Sequence, residues 1–118
     1  MSAQNKETVA KVNAAFAENN VEGFLSCCAD DVKWSMIGDR TVNGKETIRQ
    51  WMVSMDFEPP QFTVDIVIAE GDFVAAYGDM TMKDKDGNTV PYSYCDIYRF
   101  RGDRIVELKT FVINTEGR

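Results

Sequence analysis

Apolar residues recur with a helical period in the first half of the chain and with an alternating period in the second. Val9, Val12 and Phe16 stand at i, i+3 and i+7, which predicts an amphipathic helix that Asn19-Asn20 closes. Asn20 then caps a second, short helix through Phe24, Leu25 and Cys28. Ala29-Asp30-Asp31 leads into a short strand, Val32 to Met36, with Val32, Trp34 and Met36 on one face. Gly38, Asp39 and Arg40 read as a polar loop. Asn43 with Glu46 has the form of a capping box, with Asn in place of Ser or Thr. It opens a third helix whose apolar stripe is Ile48, Trp51, Met52 and Met55, and Pro59-Pro60 ends that helix.

Beyond Pro60 the period changes to that of strands. Phe62 to Ala69 is rich in β-formers, and Glu70-Gly71-Asp72 supplies a turn. Phe73 to Met82 is the next strand, and Asp86-Gly87 is a strong hairpin signal. Tyr92 to Arg101 follows, then a turn at Gly102-Asp103, then Ile105 to Ile113. A block of helices followed by a meander of long antiparallel strands defines an α+β fold. The final strand carries Val106, Leu108, Thr110 and Val112 on one face, and Ile105, Phe111 and Ile113 among the residues of the other. Apolar residues on both faces mean both are covered, which leads us to expect a homodimer.

Composition narrows the function classes. A length of 118 residues is one domain, 1–118, and 44% apolar residues suffice for one core. The net charge of −6 argues against a nucleic-acid or anionic-membrane partner, since phosphate binding needs clustered positive charge. No apolar run approaches the roughly 20 residues of a membrane span. The N-terminus lacks a long apolar segment of the signal-peptide kind, so the expected location is the cytoplasm. Cys27, Cys28 and Cys95 are read as small apolar residues. The absence of histidine removes His-based triads and most zinc sites. Asp30, Asp31 and Asp39 offer no regular ligand spacing, so no metal is expected.

One strand carries the chemical clue. Along the segment from Tyr92, one face presents Tyr92, Tyr94, Asp96, Tyr98 and Phe100. Asp96 is thus a lone carboxyl among four aromatic rings. In a closed apolar pocket, burial raises its pKa, and it acts as a hydrogen-bond donor when neutral or as a base when ionised. The competing structural reading pairs Asp96 with an arginine such as Arg49, or with tyrosine hydroxyls, in support of the sheet. Trp34 and Met36 are either a ligand wall or plain core. The Trp51, Met52 and Met55 stripe reads first as core, with Met55 near the pocket mouth.

Several stretches also carry a family likeness. Asn20-Val21-Glu22-Gly23-Phe24, Ala29-Asp30-Asp31-Val32, Asn43-Gly44-Lys45-Glu46-Thr47-Ile48, and Asp96 to Phe100 with Gly102 to Val106 resemble, in order and spacing, the nuclear transport factor 2-like superfamily. The nearest subgroup resembles the SnoaL-like and ketosteroid isomerase-like proteins. The resemblance implies a cone-shaped, curved antiparallel sheet wrapped around N-terminal helices, and it implies a homodimer. It also implies an enzyme without cofactor, acting on a small apolar molecule by isomerisation, cyclisation or dehydration. Asp96 falls on the oxyanion-hole aspartate of the isomerase, an acid kept neutral by its apolar site. In SnoaL-like cyclases the resemblance makes an aspartate of this strand the base. The isomerase's own base falls on Met36 and its oxyanion-hole tyrosine on Val12, so two catalytic positions are apolar here. The expected site is therefore Asp96 as acid/base, with Tyr94 and Tyr98 as hydrogen-bond partners. Trp34, Met36, Met55 and Leu108 shape the substrate pocket. The alternative is a non-catalytic module that binds a ligand or a protein.

Overall fold

The computed structural model describes residues 2–54 and 61–116. Helix α1 (Ser2–Ala17) is followed by α2 (Val21–Leu25), β1 (Cys28–Met36), β2 (Arg40–Asn43) and α3 (Lys45–Ser54). Five further strands follow: β3 (Gln61–Phe62), β4 (Ile66–Glu70), β5 (Phe73–Lys83), β6 (Thr89–Arg101) and β7 (Arg104–Asn114). They form one sheet in the order β2-β1-β7-β6-β5-β3, with β4 also paired to β5. The helices precede the long strands and pack on one face of the sheet, as the α+β reading requires.

The core forms where the helices meet the inner face of that sheet. Val9 and Val12 of α1, Phe24 and Leu25 of α2, and Ile48 of α3 are fully buried against Val32, Val74, Tyr98, Ile105 and Leu108. Burying each such side chain contributes about 1.5–3 kcal/mol before its entropy cost is counted. The break between α1 and α2 rests on two asparagines. Asn19 takes the left-handed φ of 55°, and the side chain of Asn20 accepts from the Gly23 N–H at 3.0 Å. The expected cap is therefore formed.

The structure departs from the sequence reading at four places. The sheet is mixed, because β1 runs parallel to β7 while the other paired strands are antiparallel. A meander pattern cannot reveal that pairing, since it joins the two ends of the chain. Cys28 opens β1 opposite Ile105 and does not end the second helix. Arg40–Asn43 is a strand rather than loop and cap: Trp34 pairs with Val42 and Lys33 with Asn43. Its single buried residue, Val42, gives no visible alternation. Asn43 therefore belongs to the sheet, and Glu46 pairs with Arg49. Lastly, the segment expected from Phe62 to Ala69 divides into β3 and β4 beside Gly78. Met55 and Pro59-Pro60 lie outside the described residues.

Candidate functional site

Register along the inner face of the sheet sets what is core and what is open. Leu108, Tyr98 and Val74 are cross-strand neighbours on β7, β6 and β5, and all three are fully buried. Two residues further on, the same face carries Thr110, Asp96 and Ala76, with Met36 beside Thr110 on β1. The next rung is Val112, Tyr94 and Gly78. Between these outer rungs and the helices lies a cavity of about 250 Å³. Phe16 and Asn13 of α1 and Trp51 and Met52 of α3 close its helical side. Phe62, Met80 and Met82 continue the sheet side.

The predicted site residues therefore separate. Asp96, Trp34, Met36 and Tyr94 line the cavity together. Tyr98 and Leu108 do not. They sit one rung deeper, with no exposure, packed in the core. Met55 falls outside the described residues. Phe16, Met80, Met82 and Thr110 line the cavity without having been singled out for it. For β5 the signal was present in the sequence, because alternation from Val74 puts Met80 and Met82 on the same face. For Thr110 it was not, because its place beside Asp96 depends on pairing between two strands.

The cavity wall is apolar with one acid in it. Trp34 meets Phe16, Phe24 and Trp51 at ring-centroid distances of 5.9, 5.3 and 5.6 Å. Asp96 is only 9% exposed. Burial pushes its carboxyl up to about 6, against the opposing hydrogen bond of Thr110. The arginine expected as a structural partner is elsewhere. Arg49 holds Glu22 at 2.6 Å and also pairs with Glu46, on the outside of the helices.

The two tyrosines differ. The hydroxyl of Tyr94 donates to the carbonyl of Thr63 at 2.6 Å, and burial with the nearby charge of Asp96 pushes it up to about 12. Its proton is thereby committed to the backbone. The hydroxyl of Tyr98 is buried with no hydrogen-bond partner among the described residues, and burial holds it well above the ordinary tyrosine value. The indole N–H of Trp51 is also buried without a partner among the described residues. The acidic pair at the start of β1 is engaged with cations: Asp30 lies 3.7 Å from Lys45, and Asp31 bonds Arg101 at 3.0 Å. No helix of the described residues is long and apolar enough to cross a membrane.

A helix-backed curved sheet with an apolar cavity on its inner face is the architecture of the nuclear transport factor 2-like proteins, and solved structures of that class superpose on this one. The family model of the SnoaL-like domain matches residues 9–108, and the chain belongs to that family. A nuclear transport factor 2-like protein from Cytophaga hutchinsonii ATCC 33406 is 27% identical, with a TM-score of 0.76 over 91% of this chain and 97% of that one. A provisionally assigned SnoaL-like polyketide cyclase from Jannaschia sp. CCS1 has a TM-score of 0.84 at 16% identity, over 94% of this chain and 86% of that one. A provisionally assigned ketosteroid isomerase from Kribbella flavida DSM 17836 has a TM-score of 0.83 at 14% identity, over 99% and 83%. The last two likenesses concern the fold. No curated protein matches the chain in sequence.

Proposed function

We propose that the chain is a cofactor-free acid/base catalyst acting on a small, largely apolar carbonyl compound. Asp96 moves a proton in an isomerisation, cyclisation or dehydration. The observation that carries this reading is a buried carboxyl, free of any arginine or lysine partner among the described residues, in the wall of an aromatic- and methionine-lined cavity. A carboxyl poised near 6 is mostly a base at neutral pH and still returns its proton readily, which suits abstraction and redelivery at a carbon beside a carbonyl. Trp34, Met36, Phe16 and Met80 would hold the apolar body of the substrate. The names of the Jannaschia and Kribbella relatives point to the same class of chemistry.

The test is turnover of model enones and β-keto compounds by the wild type and by Asp96→Asn. General acid/base groups contribute about 10²–10⁴-fold. The variant should lose at least a hundredfold in kcat while staying folded and at least as stable as the wild type. An unchanged kcat sinks the mechanism.

A second reading, a non-catalytic binding module, is favoured by one observation. Tyr94 spends its proton on Thr63, so Asp96 has no second proton donor beside it on β6. Saturable binding of the same compounds without turnover would support that reading. In either case we propose a homodimer formed through the outer face of the sheet, where Ile66, Ile68, Phe73, Tyr77, Phe111 and Ile113 are exposed.

A further inference from the structure

Thr110 stands between Trp34 and Asp96 in the cavity wall. The indole Nε1–H of Trp34 donates to Thr110 Oγ1 at 2.8 Å. A hydroxyl has one proton of its own, and an oxygen already receiving a proton from Trp34 has that proton left to give. The cross-strand neighbour of Thr110 on β6 is Asp96, and both side chains line the cavity. Indole, hydroxyl and carboxyl therefore follow one another along the cavity wall, and a bond from the hydroxyl to the carboxyl would be polarised by the one it receives from the indole.

We propose that Thr110 is a positioning residue for Asp96. Its hydroxyl donates to one carboxyl oxygen and leaves the other, which gains and loses the proton, facing the cavity. This inference rests on the acid/base reading of Asp96 and adds the device that would aim it. On β6 the titratable neighbours are Tyr94, whose hydroxyl donates to the Thr63 carbonyl, Tyr98, whose hydroxyl has no partner among the described residues, and Cys95 on the opposite face. Ala76 pairs with Asp96 from β5, Met36 pairs with Thr110 from β1, and Trp34 and Asn13 line the same cavity; none of these ionises near neutrality. The competing explanation is that the Thr110 hydroxyl merely satisfies the Trp34 indole.

Carboxyl-carbon NMR titration of the intact chain separates the two, with Asp96→Asn assigning the signal. Removing a hydrogen bond that favours the ionised form raises the pKa, and Thr110→Val should do so by about one unit. Thr110→Ser, which keeps the hydroxyl, should return the titration to the wild-type position. Val is the closest isostere, and Thr110→Ala serves as the second hydroxyl-free variant should Val perturb folding. An Asp96 titration that is the same in wild type, Val and Ala overturns the proposal, as does a Ser variant that titrates like Val. The titration needs no substrate, so its failure leaves the acid/base reading to the turnover test. Conversely, an active Asp96→Asn removes that reading while the coupling of Thr110 to Asp96 stands.

Discussion

The carbonyl oxygen of Thr63 occupies the space that a side chain on Gly78 would need. That carbonyl also accepts the hydroxyl proton of Tyr94, the cross-strand partner of Gly78. The missing side chain thus lets the chain between β3 and β4 close over β5, and the closed chain seats Tyr94 in the cavity wall. Gly78→Ala must push Thr63 outward and strand the Tyr94 hydroxyl. The expected loss is about 1–3 kcal/mol of stability. It is read as a lower urea midpoint with an unchanged m-value. A midpoint equal to the wild type refutes the account.

Tyr98 presents the reverse case, a hydroxyl buried with no bond to any of the described residues. Its ring fills the core beside Leu108 and Val74, so the ring must stay. Tyr98→Phe keeps the packing and removes an unsatisfied group whose burial costs about 1–3 kcal/mol. The variant should therefore melt at the same temperature or higher. A clear drop in melting temperature would mean that the hydroxyl is bonded in solution, and would overturn this reading.

These two residues mark the limit of what the sequence makes legible. Alternation along the strand from Tyr92 correctly places Asp96, Tyr94 and Tyr98 on one face, because side-chain direction is a property of a single strand. How deep each residue lies along that face depends on where α1 and α3 cover the sheet, and periodicity is blind to that. Hence Tyr98 and Leu108 fit the pattern of lining residues yet lie in the core. The parallel pairing of β1 with β7 was equally hidden, and with it the meeting of Trp34 and Thr110. Strand β2 was missed because four mostly exposed residues carry no apolar rhythm. The start of α2, the turns and the long strands are legible because Asn20, the turn glycines and alternating apolar residues encode them locally.

The outer face of the sheet yields a prediction of assembly. Ile66, Tyr77, Cys95 and Phe111 lie side by side across four strands, and Ile68, Ala75 and Ile97 form the next row. Exposure of 62% at Ile68 and 59% at Ile113 leaves a contiguous apolar surface, of the kind that a second copy covers in an isologous pair. Light scattering should give twice the chain mass of 13.3 kDa. Phe111→Glu, which places a charge in the middle of that surface, should return the mass to one chain without loss of helical signal. A wild type that scatters as a single chain at all concentrations tested excludes the dimer.

The raised pKa of Asp96 also fixes how stability depends on pH. Its folded value is about 6 against an ordinary 3.8, so the folded state holds the proton more tightly than the unfolded chain does. Below about pH 4 the group is neutral in both states and has no effect. As pH rises towards 6, the unfolded chain releases its proton first, and stability falls. Above 6 the penalty is constant, on the order of 3 kcal/mol. Exposed carboxylates held low by partners, such as Glu22 with Arg49 and Asp31 with Arg101, work in the opposite direction. The comparison must therefore be with Asp96→Asn, in which those pairs are unchanged. The amide cannot ionise, so the variant should be more stable than the wild type at pH 7–8, and the advantage should shrink as pH falls through the 6 to 4 window. Urea unfolding of both proteins at pH 4, 5, 6 and 7.5 measures that difference. An advantage that does not change with pH would place Asp96 in water rather than in the cavity wall, and the acid/base reading would go with it.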